Sequence, residues 1–118
     1  MTTLLVALGG VLGVLARYGL SRLTLHHESL IWTTVGINIV GSFLLGLLVA
    51  ESWFSRDVRE GLGVGFLGGF TTFSTFSVQV VLEVDAGEFS RAGLYLMASV
   101  VGGIGAAAAG FALGRAIR

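Results

Sequence analysis

The chain has 118 residues, 54% of them hydrophobic and 12% charged, with seven basic and seven acidic side chains and no cysteine or proline. Soluble domains carry about 25% charged residues, so this balance points to an all-α membrane protein. Zero net charge leaves no basic patch for nucleic acid, and without cysteine there are no disulfides, thiolate chemistry or cysteine metal sites.

The first predicted span covers residues 3–23. It lacks the positive n-region of a cleaved signal, so it is expected to remain in the mature protein. Gly9, Gly13 and the one interior charge, Arg17, follow at i, i+4 and i+8 and share a helix face. Glycines on one face admit a neighbouring backbone. Arg17 therefore points into protein or water; snorkelling toward the interface beside Arg22 is the alternative.

Residues 24–29 read as a polar surface link holding His26, His27 and Glu28, since adjacent histidines lack the i, i+4 spacing of a metal pair. The second span, residues 30–50, is uncharged, and Thr34, Asn38, Gly41 and Ser42 form one polar stripe along it. An amide in hydrocarbon must find partners. Two readings of Asn38 stand: glue between helices, or the lining of a pore.

Residues 51–60 form a charged link with an interfacial aromatic pair, Trp53 and Phe54. The third span, residues 61–82, contains the stretch around which the chain is organised, GFLGGFTTFSTFSVQ at residues 65–79. Each glycine of Gly68-Gly69 weakens a helix by about 1 kcal/mol relative to alanine, and Thr71-Thr72 restores little. The expectation is a membrane helix broken at residues 68–72, and such a break persists only where it is buried in protein or lines a cavity.

Residues 83–90 form another link, with Asp85-Ala86-Gly87 as its turn. The fourth span, residues 91–114, carries Tyr95 and Ser99 on one face and a small-residue seam of Gly102, Ala106, Gly110 and Gly114. The four spans make a single domain, residues 1–118, too small to enclose an aqueous path alone, so oligomerisation is expected. Both termini fall on one side with Arg56, Arg59, Arg115 and Arg118, against Arg22 and Arg91, plus Arg17 if it snorkels. So weak a bias under the positive-inside rule leaves two readings. One is a single orientation with cytoplasmic termini. The other is insertion both ways and pairing as an antiparallel dimer, with two breaks meeting on the two-fold axis.

No hydrolytic or redox set is present, and every acid lies in a link or at a helix end. Proton-coupled transport needs a titratable group at membrane depth, and Arg17 stays charged. Passive conduction fits better. Thr34, Asn38, Ser42, Thr72, Ser74, Thr75, Tyr95 and Ser99 offer neutral donors, and ring edges of Phe73 and Phe76 carry partial positive charge; packing is the competing role for the phenylalanines. Carbonyls freed at a break can coordinate a small alkali cation.

The stretches GGVLGVLARY at residues 9–18, GINIVGSF at 36–43 and GFLGGFTTFSTFS at 65–77 resemble the Fluc (CrcB) fluoride channels in order and spacing. The resemblance implies a dual-topology antiparallel homodimer in the plasma (inner) membrane, or a heterodimer with a paralogue. It also implies two fluoride pores that lower cytoplasmic fluoride by passive export. Phe73 and Phe76 would form a phenylalanine box, with Asn38, Ser42, Thr72, Ser74, Thr75, Tyr95 and Ser99 along the pore and Arg17 at its vestibule. Backbone carbonyls of Gly68 and Thr71 would hold a structural sodium ion at the dimer interface. Three positions depart from the pattern: Val14 replaces alanine, Gln79 replaces glutamate and Gly103 replaces a hydroxyl residue. The competing readings are a small dual-topology multidrug exporter, which needs a glutamate absent from the first span, and an accessory membrane protein without transport.

Overall fold

A computed structural model of the chain describes residues 1–24 and 26–118, with the backbone alone at His27 and Glu28. The part of the expected surface link at Leu25, and the reading of the His27 and Glu28 side chains, lie outside the described residues. The regular elements of the described residues are all helical: α1 Thr2–Arg22, α2 His27–Ala50, α3 Arg56–Glu60, a π-helical segment Gly61–Leu67, α4 Gly68–Phe70, α5 Ser74–Asp85 and α6 Phe89–Ile117. Four helices are long and apolar enough to cross a bilayer: Thr2–Arg22, Ser29–Ala50, Arg56–Asp85 and Phe89–Ile117. The molecule is a multi-pass membrane protein. Leucine, valine, isoleucine and phenylalanine side chains cover much of the outside, as expected where lipid rather than water is the solvent.

Two backbone-to-backbone seams organise the helices. In the first, α1 lies on the third span. A Cβ at Gly13 would collide with the Phe66 carbonyl, one at Gly9 with the Gly61 carbonyl, and one at Gly69 would sit 2.7 Å from the Gly10 oxygen. In the second, α2 lies on α6, where a Cβ at Gly110 would collide with the Phe43 carbonyl and one at Gly114 would approach the Leu47 oxygen to 2.7 Å. Lipid tails are as apolar as the helices, so close van der Waals packing rather than hydrophobic expulsion drives such contacts. A Gly110→Ala substitution is expected to overpack the second seam at a cost of about 1–3 kcal/mol. Thermal unfolding in detergent would register it as a lower midpoint. Gly105→Ala, where the added methyl meets open space, should leave the midpoint in place.

The third span differs from the expected break at residues 68–72. It is one bent helix, helical through the Gly68–Phe70 turn; Thr71 is extended (φ −86°, ψ 159°) and the helix resumes at Ser74. Gly69 is spent on close approach to α1, 2.7 Å from the Gly10 oxygen for an added Cβ, and the chain stays helical through the pair. The bend comes three residues later, where the backbone of Thr72 is captured by α2. The π-helical turn before it was not anticipated from the sequence. It contains the buried Gly61, Gly63, Gly65 and Leu67.

Helical order also extends further than the predicted spans. The second helix starts at His27 rather than Leu30, and the fourth runs from Phe89 to Ile117. The turn between α5 and α6 is the one at which a glycine is required: Gly87 has φ +78°. Its amide donates to the Val84 oxygen and that of Glu88 to the Glu83 oxygen, closing the helix end in a Schellman pattern. Across it, Arg91 Nε pairs with the buried Glu83 carboxylate at 2.5 Å.

Between α2 and α3 the chain is tied by Glu51. Its carboxylate accepts from the Trp53 and Phe54 amides and from Arg59 Nε, the last at 3.1 Å. Burial pushes the Glu51 carboxyl up, but those amides and the Arg59 guanidinium outweigh it and hold it below the usual glutamate value. The buried side chains Ile31, Val35, Phe76 and Tyr95 form the core that joins α2, α5 and α6.

Candidate functional site

At the joint of the third span the helical hydrogen-bond ladder is interrupted, and side chains from other helices meet the freed groups. Asn38 of α2 does most of this. Its Nδ2 donates to the Thr72 carbonyl at 2.9 Å and its Oδ1 accepts from the Thr72 amide at 2.8 Å. The side-chain amide thus mimics a strand partner for one residue of extended chain. Nδ2 has two hydrogens, so one N–H is left over after the Thr72 bond. The reading of Asn38 as glue between helices is met by these bonds, and the side chain also borders a groove beside the joint.

Thr72 then caps the next helix. Its Oγ1 accepts from the Thr75 amide at 3.2 Å, a bond equivalent to an N-cap. Arg17 reaches across from α1 and donates Nε to the Gly69 carbonyl at 3.1 Å. The Thr71 hydroxyl donates back to the Leu67 carbonyl at 3.0 Å, and its methyl lies where a Cβ at Gly41 would stand.

Beside the joint runs an open groove of about 460 Å³. Polar positions along it are Asn38, Ser42, Thr71, Thr72 and Ser99, the rings are Phe73 and Phe76, and Leu45, Leu67, Val100, Ile104 and Ala107 supply apolar wall. None of these side chains carries a formal charge. Ser99 Oγ is buried and has no hydrogen-bond partner among the described residues. Gly68 and Gly103 also border it. At Gly103 the nearest atom to an added Cβ would be Ser42 Oγ, at 3.8 Å.

The phenylalanines face opposite fates. Phe76 is buried, edge-on to Tyr95 with ring centroids 5.0 Å apart. Phe73 is 79% exposed although its ring centroid is 5.8 Å from that of Phe76.

Of the residues expected at the site, Asn38, Ser42, Gly68, Thr71, Thr72, Phe73, Phe76 and Ser99 come together on this groove. Ser74 and Thr75 are exposed on the first turn of α5, outside the groove lining. Arg17 stands behind the joint on the Gly69 carbonyl. Tyr95 is fully buried, and its hydroxyl donates to Gln79 Oε1 at 2.6 Å. That pair was not assigned from sequence, although a glutamine and a tyrosine in otherwise apolar spans are the signal that would have matched them. Among the described residues no group of three or more His, Asp or Glu could hold a metal ion.

Residues 4–111 match the family described as CrcB-like protein, Camphor Resistance (CrcB). A protein of Thermus thermophilus named fluoride-specific ion channel FluC is 44% identical, the match covering 97% of this chain and 95% of that protein. A second of the same name, from Agrobacterium fabrum, is 44% identical over 94% of each chain. Fluoride-specific ion channel FluC 1 of Bacillus thuringiensis is 41% identical over 94% of this chain and 85% of its own length.

Proposed function

The chain belongs to the CrcB-like family, and from that membership we propose that it is a fluoride channel of the plasma (inner) membrane that lowers cytoplasmic fluoride by passive export. It is not an enzyme. The observation that carries the reading is near-full-length identity of 41–44% to proteins named for fluoride-specific conduction. The groove supports it in chemical terms. Selectivity in a pore comes from its width and the donors that replace the ion's water shell. Here the free Asn38 N–H, the Ser42 and Ser99 hydroxyls and the edges of Phe73 and Phe76 are neutral donors that would suit a small anion.

The groove is open along one side, and the exposed Phe73 lies on it. A second copy inserted upside down would supply the missing wall and give two equivalent pores per antiparallel dimer. The near-balanced arginine distribution supports dual insertion. Retention of both phenylalanines and Asn38 in one sequence favours a homodimer over pairing with a paralogue.

A sodium ion at the dimer centre also fits this chain's residues. The Gly68 carbonyl would receive the Thr72 amide in an uninterrupted helix, but that amide goes to Asn38. The Thr71 carbonyl would receive the Thr75 amide, which goes to Thr72 Oγ1. Both of these carbonyls thus lack their ladder donors, and two chains would offer four such oxygens. Such an ion would hold the two joints together rather than move through them.

A proton-coupled multidrug exporter is disfavoured because α1 contains no acidic residue. The direct test uses proteoliposomes loaded with potassium fluoride and opened to potassium by an ionophore. A channel releases fluoride rapidly with negligible chloride release. Fluoride retained in the vesicles by correctly assembled protein rejects the reading and leaves the accessory role.

A further inference from the structure

The joint frees several carbonyls, and one of them is closed by a charged side chain from another span. We infer that Arg17 is a positioning residue: it caps the end of the helix that leads into the joint, through Nε on the Gly69 carbonyl, and so holds residues 71–73 in their bent geometry. The structural part of this inference stands alone; its consequence for conduction rests on the channel reading above.

A helix leaves its last four carbonyls without intrahelical donors. In the turn ending at Phe70 these are the carbonyls of residues 67–70. The Leu67 oxygen is satisfied by the Thr71 amide and hydroxyl, both at 3.0 Å. The Gly68 oxygen has lost the Thr72 amide to Asn38. The natural donor to the Gly69 oxygen is the Phe73 amide, which lies beyond the extended Thr71. Arg17 Nε takes its place at 3.1 Å. A guanidinium is always protonated and is weakly hydrated for a cation, and a cation at a helix C-terminus meets the negative end of the helix dipole. Its bond to a carbonyl is charge-assisted and stronger than that of a neutral donor.

The approach that makes this bond possible is built into α1. Gly9, Gly13 and Arg17 occupy one face, and Gly13 lies so near the Phe66 carbonyl that no side chain fits between them. Arg17, one turn further on, meets the Gly69 carbonyl one residue past the start of α4. The glycines bring the helix close and the arginine then ties the joint from behind, opposite to the ties that Asn38 makes from α2. With Gly69 closed by Arg17, the ladder amides of the Gly68 and Thr71 carbonyls still go elsewhere, to Asn38 and to Thr72 Oγ1.

An arginine that merely steers anions toward a pore would act through its charge alone, and the two roles separate by measurement. Amide hydrogen exchange across residues 71–77 should be compared in membrane-reconstituted wild type, Arg17→Met and Arg17→Lys, alongside fluoride flux as a function of fluoride concentration. A positioning role gives exchange in this segment about tenfold faster in Arg17→Met, as expected for loss of one charge-assisted bond, with exchange in α2 and α6 unchanged. Arg17→Lys, which keeps the charge and loses the planar donor, falls between the two. Maximal flux drops while half-saturating fluoride and the response to added salt stay as in wild type. Unchanged exchange in Arg17→Met, with a raised half-saturating concentration that added salt abolishes, overturns the inference. Should Arg17→Met fail to assemble, unchanged exchange in Arg17→Lys overturns it instead. Wild type that passes no fluoride would reject the channel reading, and the exchange data would still decide the role of Arg17.

Discussion

Replacing Phe73 by isoleucine is expected to cut fluoride flux by about ten- to a hundredfold, taking the ring-edge contact as worth about 1.4–2.8 kcal/mol at a dehydrated site. The protein should stay folded, because Phe73 is 79% exposed and substitutions at such positions usually change stability by no more than about 0.5 kcal/mol. Isoleucine keeps the position apolar and removes the positive ring edge, so a loss of flux would report on the ring itself. Phe76→Ile is expected to lose flux to a similar degree and to lose stability as well. Phe76 is buried against Tyr95 in the core that joins three helices, so a change of shape there costs about 1–2 kcal/mol. Flux in proteoliposomes and chromatographic profile in detergent, measured together on both variants, check this pair of outcomes. Normal flux through both would remove the phenylalanines from the pathway.

The second large effect belongs to Asn38. In Asn38→Leu the Thr72 amide and carbonyl both lose their partner at a part-buried position. Each unsatisfied buried group costs about 1–3 kcal/mol, so roughly 2–6 kcal/mol of support for the joint would vanish with one side chain. The expected result is a protein with a markedly lower thermal midpoint and no measurable fluoride flux. Asn38→Asp should lie between the two: it retains an acceptor for the Thr72 amide and loses the donor to the carbonyl. A Leu variant as stable as wild type would mean that the joint holds itself.

Periodicity and composition made the architecture legible. Four apolar runs separated by charged links could only be four helices in a membrane, and the glycine spacing on the first and fourth spans announced the seams now seen against Phe66 and Phe43. The interruption in the third span was legible as a tendency and misplaced in detail. Helix propensity treats Gly68-Gly69 as the weak point, yet the pair stays helical with Gly69 packed on α1, and a long-range amide, Asn38, decides where the chain departs. Propensity is local and the deciding bond spans 34 residues. The π-helical turn at Gly61–Leu67 also escaped notice; its Gly61 and Gly65 lie against Leu5 and Val6 of α1, a contact between distant residues.

The site divides along the same line. Asn38, Ser42, Thr72, Phe73, Phe76 and Ser99 were readable as polar or aromatic residues in apolar spans, and they gather on one groove. Tyr95 shares the helical face of Ser99, but it finds Gln79 of α5 and turns into the core. Arg17 was readable as a charge in a span that had to face protein; its attachment to a backbone carbonyl depends on how close two helices come, which no one-dimensional pattern encodes.

The most direct measurement is the reversal potential of the purified, bilayer-reconstituted protein under opposed fluoride and chloride gradients, with pH equal on both sides and then with a pH gradient imposed. A fluoride-selective passive pathway through the groove beside residues 71–73 gives a reversal at the fluoride equilibrium potential, unmoved by the pH gradient and shifted only when fluoride itself is changed. A reversal that follows chloride or moves with protons, or a membrane that stays silent with intact protein in it, contradicts that pathway.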